Sequence, residues 1–585
     1  MRREGGSERE RRSASRTQRG QAARRAEREQ AQPGRFHGRH RSGRIEVAVM
    51  LSLLGLAAPL SFQVDFGRFE GAPLIKTKFG VYATPFTPLE PFVQSLNLLE
   101  EINVRDLRYE FAWGKPDAVA FDQIAGTAAQ PTYDFTFVDR LAAALKERRI
   151  RPLFANSYCP VPLQSRTEWE RWKDVPKDMK AWEAINRTMV DRLRSQGVPG
   201  ALYEVWNEPD MPEGGGKMFF NGDAGDYARL YRFGQRGIRA GDPEAPVGGP
   251  AAAYDRRYLD AILEEPLDFA SIHGYANYPG QLDGMRESLK KRPDLPILLT
   301  EYASFTEFRL NGPSTKAEAA PLFFRDAVGL LKYGDVPKVY WAQWIDDVLG
   351  LVDRKGHKKA LFNAFRIYGM MPIDRNAVRP EAAEGVGALA SSSPEEAGIV
   401  LYNPTEENRE VSVAFKGLRF SPQSLDLYRI DRRHGSHGDD PSTEETMPEP
   451  LPAASHWSGR IPASGVVYLR LRSGQTSTPP KSVGRWVKTL YHFQDRTATT
   501  DVDFDPSTAT FRLGSATAGV GAEIGAVLEN PVSRFRATIT SLAGRPKFNL
   551  TIGFPGSEAT VRADLSKIVD LSRIAPKNWD GRRAT

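Results

Sequence analysis

Two stretches of the chain each end an apolar run in a carboxylate. Leu202-Tyr203-Glu204-Val205-Trp206-Asn207-Glu208-Pro209-Asp210 opens with β-favouring residues and is halted by Pro209. Pro296-Ile297-Leu298-Leu299-Thr300-Glu301-Tyr302 repeats the pattern, with Glu301 lying 93 residues beyond Glu208. A carboxylate carried out of the core by a strand end is placed for chemistry, above all where a barrel gathers its strand ends on one rim. Two such groups facing each other across a sugar are what cleavage of a glycosidic bond requires. One protonates the leaving oxygen; the other attacks the anomeric carbon or activates a water.

The elements that would position them are legible from periodicity. Between residues 76 and 372, strand and helix patterns alternate eight times, the signature of an α/β chain folded as a (β/α)8 TIM barrel. The strand candidates are Phe79–Ala83, Val104–Tyr109, Arg151–Asn156, Leu202–Asn207, Pro246–Gly249, Phe269–His273, Ile297–Glu301 and Val339–Gln343. Apolar residues spaced three and four apart, as in Phe137-Val138, Leu141 and Leu145, predict the intervening helices, and Ala360–Gly369 predicts the eighth. From residue 373 to 472 short alternating strands predict an accessory antiparallel β-sandwich. Residues 473–482 read as a linker, and 483–585 as a further C-terminal β-rich domain. That last domain is read equally as a carbohydrate-binding module or as a structural sandwich without a ligand.

Trp206-Asn207-Glu208-Pro209 followed by Thr300-Glu301 resembles the acid/base and nucleophile strands of the clan A glycoside hydrolases. Within the clan the chain is most similar to glycoside hydrolase family 39, the family of β-xylosidases and α-L-iduronidases. The likeness extends over residues 76–372 and includes Val247-Gly248-Gly249-Pro250-Ala251, Ser271-Ile272-His273-Gly274-Tyr275 and the segment from Tyr340-Trp341 to Asp346-Asp347-Val348. It implies that Glu208 is the acid/base and Glu301 the nucleophile of a retaining enzyme. It also implies that the extended segment 62–75 joins the accessory sandwich.

Around this pair, Arg108 and Tyr275 are the candidates to hold Glu301 ionised, through a nearby cation and a hydroxyl donor. Asn207 is expected to bind the sugar 2-hydroxyl, and His273 to support the site or bind substrate. Trp341 and Trp344 stand three apart and are expected to face opposite sides of the eighth strand, with Trp341 flooring the pocket. The Phe219-Phe220-Asn221 loop is a candidate wall. Two positions depart from the family: Arg108-Tyr109-Glu110 stands where Arg-x-His is frequent, and Asn156 where the third strand often ends in a glutamate. Glu110 and Asn156 are therefore candidate substrate-binding residues that put the sugar in question. Asp210 occurs in the iduronidase branch, yet no basic cluster of the kind a uronate would need is evident.

Charge limits the partners. The chain has 80 basic and 73 acidic residues, but residues 1–44 carry 14 Arg, no Lys and 5 Glu, leaving 66 basic and 68 acidic in the rest. The folded body therefore gives no reason to expect a nucleic-acid partner. The first 44 residues read as a disordered Arg-rich tail: an interaction tail, a long signal n-region, or sequence upstream of the true start. Residues 45–61 read as a signal-like hydrophobic segment, too short for a stable membrane span, which predicts a periplasmic or secreted protein. The single cysteine, Cys159, excludes an internal disulfide and is read as a small buried hydrophobe. No metal-ligand spacing occurs and no cofactor is implied. The expected partner is an oligosaccharide or polysaccharide, cleaved by an exo-acting xylosidase-like enzyme or an endo-acting β-glycanase. The rival is a non-catalytic glycan-binding barrel.

Overall fold

The computed structural model describes residues 59–474, apart from 166–169, 214–215, 308–311, 314–315, 355 and 436–447. Beyond residue 484 it describes only the backbones of strand segments. The Arg-rich tail and most of the signal-like segment and of the linker lie outside these residues. Among the described residues no helix is long and apolar enough to cross a membrane.

Eight parallel strands close into a barrel: β2 (Phe79–Ala83), β3 (Asp106–Glu110), β4 (Arg151–Asn156), β5 (Leu202–Val205), β6 (Val247–Ala252), β7 (Phe269–Tyr275), β8 (Ile297–Ala303) and β9 (Lys338–Ala342). Side-chain alternation along each strand separates two environments. Tyr82, Leu153, Phe269, Leu298, Tyr340 and Ala342 fill the barrel interior. Their neighbours Val81, Phe154, Ala270, Leu299 and Trp341 face the helix layer. Gly80 is needed inside: a Cβ there would lie 2.7 Å from the Asp106 carbonyl and 2.8 Å from the Tyr340 ring. At the strand N-termini, Asp106 pairs with both Lys338 and Arg151 at 2.7 Å, closing the mouth opposite the strand C-termini.

Strand limits differ from the periodicity in instructive places. β5 stops at Val205, because Trp206 and Glu208 take positive φ values of 74° and 43°. β6 runs past Gly249, where the sequence-based strand ends, through Pro250 to Ala252. Close packing makes glycine useful within it, since a Cβ on Gly248 would lie 2.3 Å from the Phe269 ring.

The helix layer includes α1 (Met179–Ser195), α2 (Ala224–Gly241), α3 (Ala319–Leu330) and α4 (Ala360–Met370). Asp178 caps α1 by accepting from the backbone N–H groups of Lys180 and Ala181, and Asp223 with Asp226 forms a capping box on α2. Phe323 of α3 stacks on Phe365 of α4 with ring centroids 4.4 Å apart.

The accessory unit is one curled ten-stranded sheet around its own apolar core. β1 (Leu60–Phe69) lies within it, antiparallel to Asp374–Arg379 and parallel to Arg409–Lys416. The parallel pair makes the sheet mixed instead of purely antiparallel, because its strand comes from the other end of the chain. Leu60 and Ser61, the last residues of the hydrophobic run, already belong to β1. Tyr402 and Tyr468 turn the opposite face of the sheet towards α3 and α4 and join the barrel core. Beyond residue 484, Arg485–Tyr491 pairs with Gly521–Val527, and Thr500–Asp505 with Thr510–Ala516.

Candidate active site

The alternation that builds the barrel also selects which polar side chains reach its interior. On β3, Arg108 and Glu110 share the inward parity while Leu107 and Tyr109 pack outward. On β7, His273 and Tyr275 follow Phe269 and Ser271. β8 needs a correction to the simple period. Leu298 faces inward, so Thr300 would too, and Glu301 would point into the helix layer. A bulge intervenes: Ile272 pairs with Leu299, but His273 pairs with Glu301. The extra residue, Thr300, resets the parity, turning Glu301 inward and Tyr302 outward to its partner Asp326 on α3.

Glu208 arrives by another route. After β5 the chain takes the left-handed region at Trp206 and again at Glu208, a conformation that costs of order 1–3 kcal/mol per residue and must be held by its surroundings. The Trp206 indole, fully buried, donates Nε1–H to the Phe219 carbonyl at 3.0 Å. The Glu208 backbone N–H donates to the Ala251 carbonyl at 3.1 Å. Two residues on, Asp210 accepts from the backbone N–H groups of Ala253, Tyr254 and Asp255 at 2.8, 2.6 and 2.6 Å. The loop that carries Glu208 is thereby tied to the loop after β6.

One buried guanidinium organises the floor. Arg108 donates to Glu204 Oε2 at 2.9 Å, to Glu301 Oε1 at 2.8 Å and to Asn207 Oδ1 at 2.7 Å, with its plane over the Tyr82 ring. Tyr275 donates its hydroxyl to Glu301 Oε2 at 2.6 Å. His273 Nδ1 lies 2.7 Å from Glu208 Oε1. Asn207 Nδ2 donates to the Tyr158 hydroxyl at 3.1 Å. Glu110, only 3% exposed, accepts from the Tyr82 hydroxyl at 2.5 Å and from Ser157 Oγ at 2.9 Å.

A carboxylate oxygen of Glu208, one of Glu301 and a ring nitrogen of His273 all lie within 4.8 Å of one another. Among the described residues this trio alone also has the composition and spacing to hold a metal ion. The Nδ1–Oε1 approach, however, is a direct hydrogen bond, not the wider spacing of two ligands around a tetrahedral ion.

The electrostatics separate the two carboxyls. Burial, reinforced by Asp210 and Glu110 and opposed by Arg108, pushes the Glu208 carboxyl up to about 8, so it carries a proton at neutral pH. Burial also raises Glu301, but Arg108, Tyr275 and His273 all act on it in the opposite sense. Burial holds the His273 imidazole below its ordinary value, hence neutral.

Six of the residues singled out by sequence thus meet in one cluster: Glu208, Glu301, Asn207, Arg108, His273 and Tyr275. Glu110 forms the adjoining wall. Two do not belong. Asn156 has outward parity on β4 and donates Nδ2 to Asn186 on α1 at 2.8 Å, so it reads the helix layer and not a sugar. Trp341 is likewise outward, packed against Tyr302, Phe323 and Phe365, with Nε1–H on the Leu349 carbonyl. Trp344 does not face the pocket in its place: it packs on Phe362 of α4 and donates to Ser95. Phe219 stacks over Tyr158, with centroids 5.9 Å apart, and Phe220 packs beneath it on Trp206. Glu204, Tyr82, Tyr158 and Asp210 complete the site without having been singled out for it. Glu204 shares inward parity with Leu202, a signal that was available. Cys159 is fully buried.

Comparison with known proteins agrees with this geometry. The sequence model of "Glycosyl hydrolases family 39" matches residues 84–310. A β-xylosidase of Geobacillus stearothermophilus is 28% identical over 163 residues, which are 25% of this chain and 32% of that protein. A β-xylosidase of Caldicellulosiruptor saccharolyticus is 28% identical over 356 residues, 51% of this chain and 70% of that protein. The chain therefore spans about a third of the first relative and somewhat over two thirds of the second. The crystal structure of a monomeric β-xylosidase from Caulobacter crescentus superposes with a TM-score of 0.59 at 18% identity, over 71% of this chain and 99% of that one. Over residues 84–310, the part of the barrel that carries Glu208 and Glu301, the chain matches glycosyl hydrolases family 39.

Proposed function

We propose that the protein is a retaining glycoside hydrolase of the β-xylosidase type. The observation that carries this reading is the approach of Glu208 and Glu301 oxygens to within 4.8 Å of each other. Retention uses carboxyls about 5–5.5 Å apart, whereas inversion needs about 6.5–9.5 Å to seat a water between them. In the first step a Glu301 oxygen bonds to the anomeric carbon as the glycosidic C–O bond breaks, and Glu208 gives its proton to the departing oxygen. In the second, ionised Glu208 takes a proton from water, whose oxygen displaces Glu301 and releases the sugar. On this reading Asn207, held by Arg108 and Tyr158, binds the 2-hydroxyl as charge develops on the ring. The β-xylosidase names of the relatives support the choice of sugar.

The test is hydrolysis of an aryl β-xyloside followed by proton NMR. The first-formed sugar should be the β-anomer, and Glu301→Gln should lose activity by about 1,000-fold or more. For Glu208→Ala, azide should restore turnover and yield the β-xylosyl azide, because an anionic nucleophile needs no general base. An α-anomer as first product would reverse the stereochemical reading, and activity surviving in Glu301→Gln would remove the nucleophile.

We read the hydrophobic segment within residues 45–61 as an export signal. Fractionation of the producing cell, with N-terminal sequencing of the mature protein, tests it; an uncleaved cytoplasmic chain would overturn it.

A further inference from the structure

Glu110 is a buried carboxylate that the two-step reaction does not use. Among the described residues its partners are hydroxyls, those of Tyr82, Ser157 and Tyr158, and no cation forms a salt bridge with it, Arg108 acting on it electrostatically without bonding to it. Burying a carboxylate without a cation is unfavourable for folding, so an element that does it has another use for the charge. Its position suggests that use. Glu110 is close enough to Glu208 and to the Tyr158 hydroxyl to act on both electrostatically, and Tyr158 is bonded in turn to Asn207. Glu110 therefore borders the space where the ring of the cleaved sugar would lie. Tyr82, Ser157 and Tyr158 take three of the about four acceptor sites that a carboxylate offers, which leaves room for a sugar hydroxyl.

The surrounding charge points the same way. Glu110, Glu204, Glu208, Asp210 and Glu301 are buried together with a single guanidinium. That guanidinium is already engaged by Glu204, Glu301 and Asn207. Nearby lysines are also engaged: Lys115 with Asp117, and Lys217 with the Tyr258 hydroxyl. A substrate bearing its own carboxylate would meet like charge and, among the described residues of this cluster, no cation that is not already engaged.

Resting on the glycosidase reading above, we propose that Glu110 is a specificity-determining residue that binds a hydroxyl of a neutral sugar and excludes uronic acids from the same pocket. Its charge, not its size, does the excluding.

Xylose, glucose and glucuronic acid share one ring configuration and differ only at C5, which carries hydrogen, a neutral hydroxymethyl group or a carboxylate. The experiment measures calorimetric binding of the three correspondingly configured iminosugars, alongside turnover of the three 4-nitrophenyl β-glycosides. For the wild type, the glucose form should be favoured over the glucuronic form by about 100-fold, the scale of one like charge several ångström away at an effective dielectric near 20. Glu110→Gln should narrow that ratio by at least about tenfold while weakening the xylose form, since an amide accepts fewer hydrogen bonds. Glu110→His, neutral and of the residue type frequent in the family at this place, should narrow it too if the glutamine variant does not fold. Equal rejection of the glucose and glucuronic forms would make the exclusion steric and overturn the proposal. So would a ratio unchanged by both substitutions. Binding in the predicted order without turnover of any glycoside would instead overturn the catalytic reading and leave the pocket assignment standing.

Discussion

The Nδ1 nitrogen of His273 lies 2.7 Å from an oxygen of Glu208 and 3.7 Å from an oxygen of Glu301. One imidazole nitrogen therefore sits between the two carboxyls. With Glu208 protonated and His273 neutral, the carboxylic acid can donate to that nitrogen at rest, which fixes the carboxyl plane before substrate arrives. His273→Ala should leave Glu208 present but loosely aimed. Glycosides with poor leaving groups, which depend on protonation, should lose about 100-fold in kcat/KM, the lower end of what general acid catalysis supplies. Aryl glycosides with acidic leaving groups should lose far less. Equal losses for both classes would show that His273 acts on something other than proton donation.

A second expectation concerns pH. Glu208 is faced by Asp210, Glu110, Glu301, His273 and Arg108. After burial, Asp210 is the largest influence holding it up to about 8. The acid must be protonated, so kcat/KM should fall on the alkaline side near that value. Asp210→Asn removes the charge and should move this limb to lower pH. It also weakens the clamp on Ala253, Tyr254 and Asp255, which would reduce the rate at every pH without shifting the limb. The pH profile separates the two effects, and an unmoved limb would remove Asp210 from the electrostatics.

The same group makes stability depend on pH. Glu208 titrates near 4.5 when unfolded and at about 8 when folded, so between those values the folded state holds a proton that the unfolded state has lost. Folding is favoured most below the unfolded value, and that contribution falls as pH rises to about 8. Glu208→Gln imitates the neutral form at all pH values. Its Tm advantage over the wild type should be small in acid, grow through this window and level off above it, as calorimetry across the range would read. An advantage independent of pH would mean that Glu208 is not proton-loaded in the free protein.

How far the sequence reveals this protein follows from which interactions are local. The barrel was legible because a buried parallel strand and the helix after it each write their own period into the chain. Glu208 was legible because Pro209 ends its run abruptly. Glu301 was assigned correctly to a strand end, yet simple alternation from Leu298 would have turned it outward. Only the bulge at Thr300 brings it in, and that bulge is set by pairing with β7, not by any residue within β8. Asn156 and Trp341 failed for the complementary reason: each stands near a strand C-terminus, but with the parity of the helix layer. Counting alternate residues back to Leu153 and on from Tyr340 recovers both, once the interior faces are known. The roles of Glu204 and Tyr158 depend on contacts across strands and had no local mark beyond parity.

Trp341 offers a direct check on that correction. Its ring is 1% exposed and meets Tyr302, Phe305, Phe323 and Phe365 edge-on, at centroid distances of 5.4–6.3 Å. Such pairs contribute about 0.5–1.5 kcal/mol each beyond the area they bury. Trp341→Phe keeps an aromatic ring but leaves a space behind β9 and abandons the hydrogen bond to the Leu349 carbonyl. It should cost about 1–3 kcal/mol, read as a lowered Tm and denaturant midpoint. A residue flooring the sugar pocket would instead show itself in KM. With the ring behind the barrel, the folded variant should keep KM within about twofold, because Tyr340 and Ala342, not Trp341, present β9 to the interior. A large rise in KM with Tm unchanged would return Trp341 to the pocket and reverse the parity of the strand.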